Sequence, residues 1–324
     1  MAAVFFNCMN LQEIDLTWIK PITNAVTTIG NMFGHCRSVI EINIPEGWDI
    51  TGCTASESCY RIFADCYKLQ RITGISNWNM SGYNYSLAYS FENDFCLQEI
   101  DISNWRAHPT TMYYAFLNCR TLEEIDLTGW SWENMTGTAL SATFQSCHSL
   151  KTIKGIEHMG DSGNITQMGS LFLDCFSLIS LPNINSWNLA KVTTCSNMFS
   201  GCYSLQSLTI SNWSLPKCTS ISYMFRYCYN MKELELQGWS IPLVTDAGYI
   251  FNQMYSLTKF SGLPIAVNFR AQELYSLPED QWVRVFTQLP SVSSKTINMT
   301  TAVLGKLTDT TKAIATDKGW TLSN

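Results

Sequence analysis

One short pattern recurs along this chain and decides most of what the chain can fold into. Cys8, Cys36, Cys66, Cys119, Cys147, Cys175, Cys202 and Cys228 each lie three residues after a Phe and three before Leu, Val or Met. Asp94 and Met254 hold the same place, between Phe91 and Leu97 and between Phe251 and Leu257. These ten anchors are 25 to 30 residues apart. A unit of that length cannot bury its own apolar face, whereas stacked units bury one continuous core. A fixed period of this size therefore predicts a solenoid.

Each unit has two halves. Before the anchor, apolar residues fall at i, i+3, i+4 and i+7, as in Ile29, Met32, Phe33, Cys36 and in Met168, Leu171, Phe172, Cys175. That spacing predicts a short helix. After the anchor, runs such as Leu97, Ile100, Ile102 and Leu122, Ile125, Leu127 end in the alternation of a strand with one buried face. A Trp follows in eight copies (Trp18, Trp48, Trp78, Trp105, Trp130, Trp187, Trp213, Trp239), and His158 takes its place in the sixth. The expected fold is an α/β repeat: a leucine-rich-repeat-like solenoid of about ten short helix–strand coils over residues 1–264. At the usual strand spacing it would be about 50 Å long.

The pattern stops after Met254. Ser276-Leu277-Pro278-Glu279 reads as a capping box opening a helix that carries Trp282, Val285, Phe286 and Leu289, with Pro290 ending it. Lys295–Met299 alternates like a strand, Thr308 is placed to cap a second helix running to Lys318, and Trp320–Leu322 makes a last strand. Residues 265–324 are expected to form an α+β module capping the exposed end of the solenoid. The first copy has no comparable cover. Phe5, Phe6 and Leu11 are therefore a candidate assembly contact, met by another chain or by a preceding part of a longer protein.

Thirteen Cys invite three readings: disulfides, metal or core. Eight are anchors. Cys59, Cys195 and Cys218 fall on the same apolar face, leaving only Cys53 and Cys96 out of register. A buried free Cys behaves as a small apolar residue, so the favoured reading is a reduced thiol ladder, with Cys53–Cys59 the easiest disulfide to imagine. There is no C-x-x-C and the four His are scattered, which gives no metal site. Phosphate-loop and H-E-x-x-H motifs are absent. Gly160-Asp161-Ser162-Gly163 resembles a serine-nucleophile tetrapeptide but has no His/Asp pattern with it. The chain is read as no enzyme, with no catalytic residue and no cofactor. A net charge of -6 argues against nucleic acid. No run of 18 apolar residues predicts a membrane span, and no signal peptide is apparent.

What remains is surface. Strand positions pointing away from the core carry Glu13, Asp15, Glu99, Asp101, Glu124, Asp126, Glu233 and Glu235, a candidate binding face for a basic or glycan partner. The competing reading is solubility and edge protection. Tyr83, Tyr85, Tyr89, Tyr113 and Tyr114 form a candidate aromatic patch, since Tyr offers rigid amphipathic contact area. Such residues also commonly just cover a surface.

The run from Ser196-Asn197-Met198-Phe199 through Cys202, Leu205, Leu208 and Ile210 to Trp213 resembles the M-F-x-x-C-x-x-L-x-x-L repeat of BspA-like leucine-rich repeat surface proteins of bacteria. The resemblance spans about residues 5–264, and Lys306–Thr321 is similar to segments that close such arrays. It implies a non-catalytic binding or adhesion role outside the cell, on a bacterial surface or, as similar arrays also occur there, in a phage tail or virion. The implied partners are a protein or glycan on a cell surface, with other virion proteins as a further possibility at the first copy. A structural virion or scaffold component without a receptor is the alternative. The family pattern names no ligand residues.

Overall fold

The computed structural model describes residues 2–20, 26–45, 47–55, 57–82 and 85–324. It is a solenoid of about eleven turns. Short parallel strands build one side: β1 (Glu13–Asp15), β2 (Glu41–Asn43) and β3 (Arg71–Thr73) form one ladder. β4 (Glu124–Asp126) pairs β5 (Thr152–Lys154), and β6 (Ser207–Thr209), β7 (Glu233–Glu235) and β8 (Lys259–Ser261) form a third ladder. Pairing keeps the repeat in register, Ile14 beside Ile42 beside Ile72, with the middle residue buried each time.

The expected helices before the anchors do not form. Among the described residues, 2–264 contain no α-helix. Each coil instead has two left-handed residues, five and one before the anchor: Asn31 and His35, Tyr89 and Asn93, Tyr114 and Asn118, Tyr223 and Tyr227. Between them run consecutive turns. Met32 N–H bonds to Ile29 O within the coil, and Phe33 N–H bonds to Ile62 O in the next coil at 2.8 Å. Alternate N–H groups thus close turns and reach across to the neighbour. An α-helix would close them all on itself. The apolar spacing of a helical face is kept, because the turns also place those residues inward. The difference lies in where the hydrogen bonds go.

The core is a set of ladders. Ten Phe rings, from Phe5 to Phe251, stack in one unbroken column with centroids 5.0–6.3 Å apart and planes within 13°. Each contact adds about 0.5–1.5 kcal/mol beyond area burial. Trp48, Trp78, Trp105 and Trp130 stack likewise, as do Trp187, Trp213 and Trp239. The sixth copy interrupts them: His158 is exposed, and Met159 is buried. Trp18 also leaves the ladder and is 79% exposed.

All thirteen Cys are free. The anchor thiols donate to the Phe carbonyl of the preceding coil: Cys119 to Phe91 O at 3.0 Å, Cys175 to Phe144 O at 3.1 Å and Cys228 to Phe199 O at 3.2 Å. Burial pushes the pKa values of these three up, that of Cys228 to about 12, so they stay neutral thiols. Since the thiolate is the reactive form, these buried anchors are chemically quiet.

Beyond the tenth coil, Ala271, Leu274 and Leu277 repeat the Phe–anchor–Leu spacing with Ala in place of Phe, and Leu274 N–H bonds back to Ala271 O. β9 (Phe269–Arg270), β10 (Lys295–Asn298) and β11 (Trp320–Ser323) are again parallel. Here true helices connect the strands: α1 (Glu279–Gln288), α2 (Thr301–Leu304) and α3 (Asp309–Thr316). Thr308 caps α3 as expected, accepting from Thr311 N–H. The capping box at Ser276 does not form. Ser276 Oγ donates to Tyr255 O, and Glu279 Oε1 accepts from Thr308 and Thr311 instead of the helix start. α1 lies against β8, where Gln281 Oε1 accepts the Phe260 N–H at 3.2 Å.

Candidate binding surfaces

The strand face carries the predicted carboxylates on its outer positions, where the pleat must place them. Many already have partners. Glu124 pairs with Lys154, which also lies 4.0 Å from Asp126, and Lys259 bridges Glu233 and Glu235 at 3.0 and 3.6 Å. Between neighbouring coils, Arg71 holds Glu41 and Lys151 holds Glu123. The Lys154 ammonium keeps the Glu124 carboxyl below its ordinary pKa. Asp15, Asp101 and Asp126 also shape the backbone. Each accepts the N–H of the Thr or Ser two residues on and so fixes the turn after the strand position. Asp15 is held below its ordinary pKa by Thr17 in this way.

Glu99 and Asp101 differ. They form no strand, and, like Glu13 and Asp15, they have no ion pair among the described residues. The ladder breaks at this coil. The repeat sets Glu99 and Asp101 opposite Glu124 and Asp126, and like charges facing across strands are destabilising; Glu13 faces Glu41 in the intact β1–β2 pair, but there Arg71 holds Glu41. The seventh coil breaks it too, where Pro182 has no N–H to give. Beside the acidic break lies an open recess of about 500 Å³, lined by Glu99, Asp101, Glu123, Glu124 and Asp126 with Gln98, Ile100 and Ser103. No group of three or more His, Cys, Asp or Glu among the described residues is arranged to hold a metal.

The predicted aromatic patch divides. Tyr83 lies outside the described residues. Tyr85 is core, not surface: it is 1% exposed, donates its hydroxyl to Met80 O and accepts the His108 N–H. Burial pushes its phenol pKa up. Tyr89, Tyr113 and Tyr114 do come together, with centroids 4.1–5.4 Å apart. Arg61 lies over Tyr89 and is neutralised by Asp65 at 2.9 Å and Glu92 at 3.1 Å.

At the first coil, Phe6 and Leu11 are 44% and 41% exposed, while Phe5 is half-buried as the first ring of the column. Val4 and Met9 are exposed beside them.

Sequence reasoning missed a second aromatic file. The residue after the anchor is His148, Phe176, Tyr203, Tyr229 and Tyr255 in successive coils, and these rings stack 4.4–5.9 Å apart. The ten-copy alignment already holds the signal in one column beside the Cys.

A family model for the BspA type leucine rich repeat region matches residues 2–164 in six copies. The chain belongs to the BspA type leucine-rich repeat family. A second family model, described as Mycoplasma protein of unknown function, DUF285, matches residues 138–261, so the two together span the BspA type array as the anchors define it. Among solved structures, a leucine-rich repeat protein from Bacteroides ovatus is similar at 16% identity, over 89% of this chain and 85% of that one, with a TM-score of 0.27. No curated protein matches the sequence. Proteins of the BspA type are commonly surface proteins in binding roles, and no helix among the described residues here is long and apolar enough to cross a membrane.

Proposed function

We propose that this chain is a non-catalytic binding and attachment module that works outside the cell, on a bacterial surface or a virion, and grips a basic protein partner through its strand face. One observation carries the reading: Glu99 and Asp101, with no ion pair among the described residues, stand beside a recess lined by three further carboxylates. Charge of one sign gathered on an open face steers a partner of the opposite sign and selects it. The module of residues 265–324 closes the far end of the array, with α1 set against the last strand of the ladder. The exposed apolar first coil, with Phe6 and Leu11, favours a second reading as a scaffold component joined to another protein at that end.

Cell-binding assays and glycan arrays on the purified chain separate these readings. Saturable binding that falls on the order of tenfold or more in Glu99→Lys/Asp101→Lys, and weakens with salt, supports the attachment role. Absence of binding to cells and glycans, with a fixed stoichiometry in a particle, supports the scaffold. Saturable binding that the charge reversal leaves intact moves the site off the strand face.

A further inference from the structure

The turn side of coils nine to eleven carries a second, oppositely charged surface. Arg270 lies over the Tyr249 ring at 4.2 Å, and Tyr249 stacks on Tyr223 at 5.2 Å. Arg226 lies over Tyr223 at 5.3 Å and over Tyr227 at 4.1 Å. Tyr227 meets Tyr229, which continues the outer aromatic file through Tyr255 to Tyr275. These side chains form one connected surface. Its far end is open: Tyr255 and Tyr275 are 41% and 39% exposed.

Two arginines give it its charge, as Arg37 over Tyr67 and Arg120 over Phe95 do singly elsewhere on the turn side. In coil three, Arg61 also lies on tyrosines, but two carboxylates neutralise it. Arg226 and Arg270 have no ion pair among the described residues, in a protein whose net charge is -6. Nearby acids do not take that place. Asp174 is within electrostatic reach of Arg226 without pairing to it, and Glu273 is bonded to Asn252. Arg226 donates one amino group to Tyr227 Oη, while its Nε is shut from solvent without a partner. A guanidinium lying on an aromatic ring keeps its N–H groups in the ring-parallel plane, where a carboxylate meets two of them at once. Tyr and Arg are also the side chains that dominate protein-binding hot spots.

We propose that this surface is a docking site for an acidic polypeptide segment, whose carboxylates are received by Arg226 and Arg270 while its apolar atoms lie along the tyrosines. It is separate from the acidic strand face and calls for a partner of opposite charge.

The probe is poly-L-glutamate, titrated into the full chain at low salt and followed by calorimetry, with alginate as the acidic polysaccharide control. Saturable binding of poly-L-glutamate is expected, though the overall charge opposes it. Arg226→Gln and Arg270→Gln should each weaken it about tenfold, the loss of one charge-assisted hydrogen-bonded contact. Arg270 is exposed, so Arg270→Gln carries the test even where Arg226→Gln disturbs the fold, and melting curves report that difference. The proposal is overturned by no saturable binding, by binding that Arg270→Gln leaves unchanged, or by alginate binding more tightly than poly-L-glutamate.

Discussion

The fourth coil and the eighth follow one plan but carry different anchors. In the eighth, the Cys202 N–H bonds to Phe199 O at 3.1 Å, and its thiol donates to Phe172 O in the coil before at 3.3 Å. In the fourth, the anchor is Asp94, fully buried. Its Oδ1 accepts the Cys66 N–H of the coil before at 2.9 Å, and its Oδ2 has no partner among the described residues. Both side chains reach back to the preceding coil, one to a carbonyl and the other to an N–H. In these two coils the anchor side chain joins adjacent backbones. The acid fills the role less well because one oxygen is left over, and a buried unsatisfied polar atom costs about 1–3 kcal/mol.

The largest effect tests what the two coils share. Phe91→Ala and Phe199→Ala each remove one ring from the column, and each should lower stability by about 3–5 kcal/mol in urea unfolding. Phe91 has the closer neighbours, Phe63 at 5.3 Å and Phe116 at 5.0 Å, against 5.7 and 5.8 Å around Phe199. The loss in coil four should therefore be at least as large as in coil eight. A loss below about 1 kcal/mol at either position would mean that the column is not a continuous core.

Exchanging the anchors tests what differs. Asp94→Cys should raise stability by about 1–3 kcal/mol near pH 8, and Cys202→Asp should lower it by a similar amount. The gain should also depend on pH. Burial pushes the Asp94 carboxyl well above its ordinary pKa, so the folded chain keeps a proton that the unfolded chain loses above about pH 4. Folding then takes up a proton, and stability falls as pH rises from there. Asp94→Cys removes that part of the slope. Glu92 and Asp174, also raised mainly by burial, leave a remainder of the same sign. Thermal melts of both chains between pH 4 and 8 check this. Parallel curves would show that Asp94 is ionised in the fold.

The period, the ladders, the strand register and the free state of the cysteines were all legible, because each follows from which residues recur. The short helices were misread because apolar spacing reports which side chains face inward, and both a helix and a chain of turns satisfy it. The distinguishing mark was one column away. Asn7, Asp65, Asn93, Asn118, Asp174 and Gly201 precede their anchors, and these are residue types that accept a left-handed backbone. Tyr85 was misplaced because it lies off the repeat's main columns, where nothing in the spacing tells a core phenol from a surface one. The acidic face was legible as a row of side chains. Its division into paired and unpaired carboxylates was not, since that depends on which lysine of the next coil reaches across.

The smallest effect concerns the strand face of the same fourth coil. Glu99→Ser/Asp101→Thr copies the neutral outer positions of coil eight, where Ser207 and Thr209 stand in a paired strand. Removing like charges facing Glu124 and Asp126 should add about 0.2–1 kcal/mol per position and extend the ladder from β4 toward this coil. Urea unfolding gives the energy, and slower amide exchange at Ile100 reports the new pairing. The same substitution should weaken binding of a basic partner, by less than the charge reversal does. A stability gain together with weakened binding would show that the two acids weaken the ladder and are there for the surface they make. Unchanged stability would mean that charge is not what breaks the ladder at this coil.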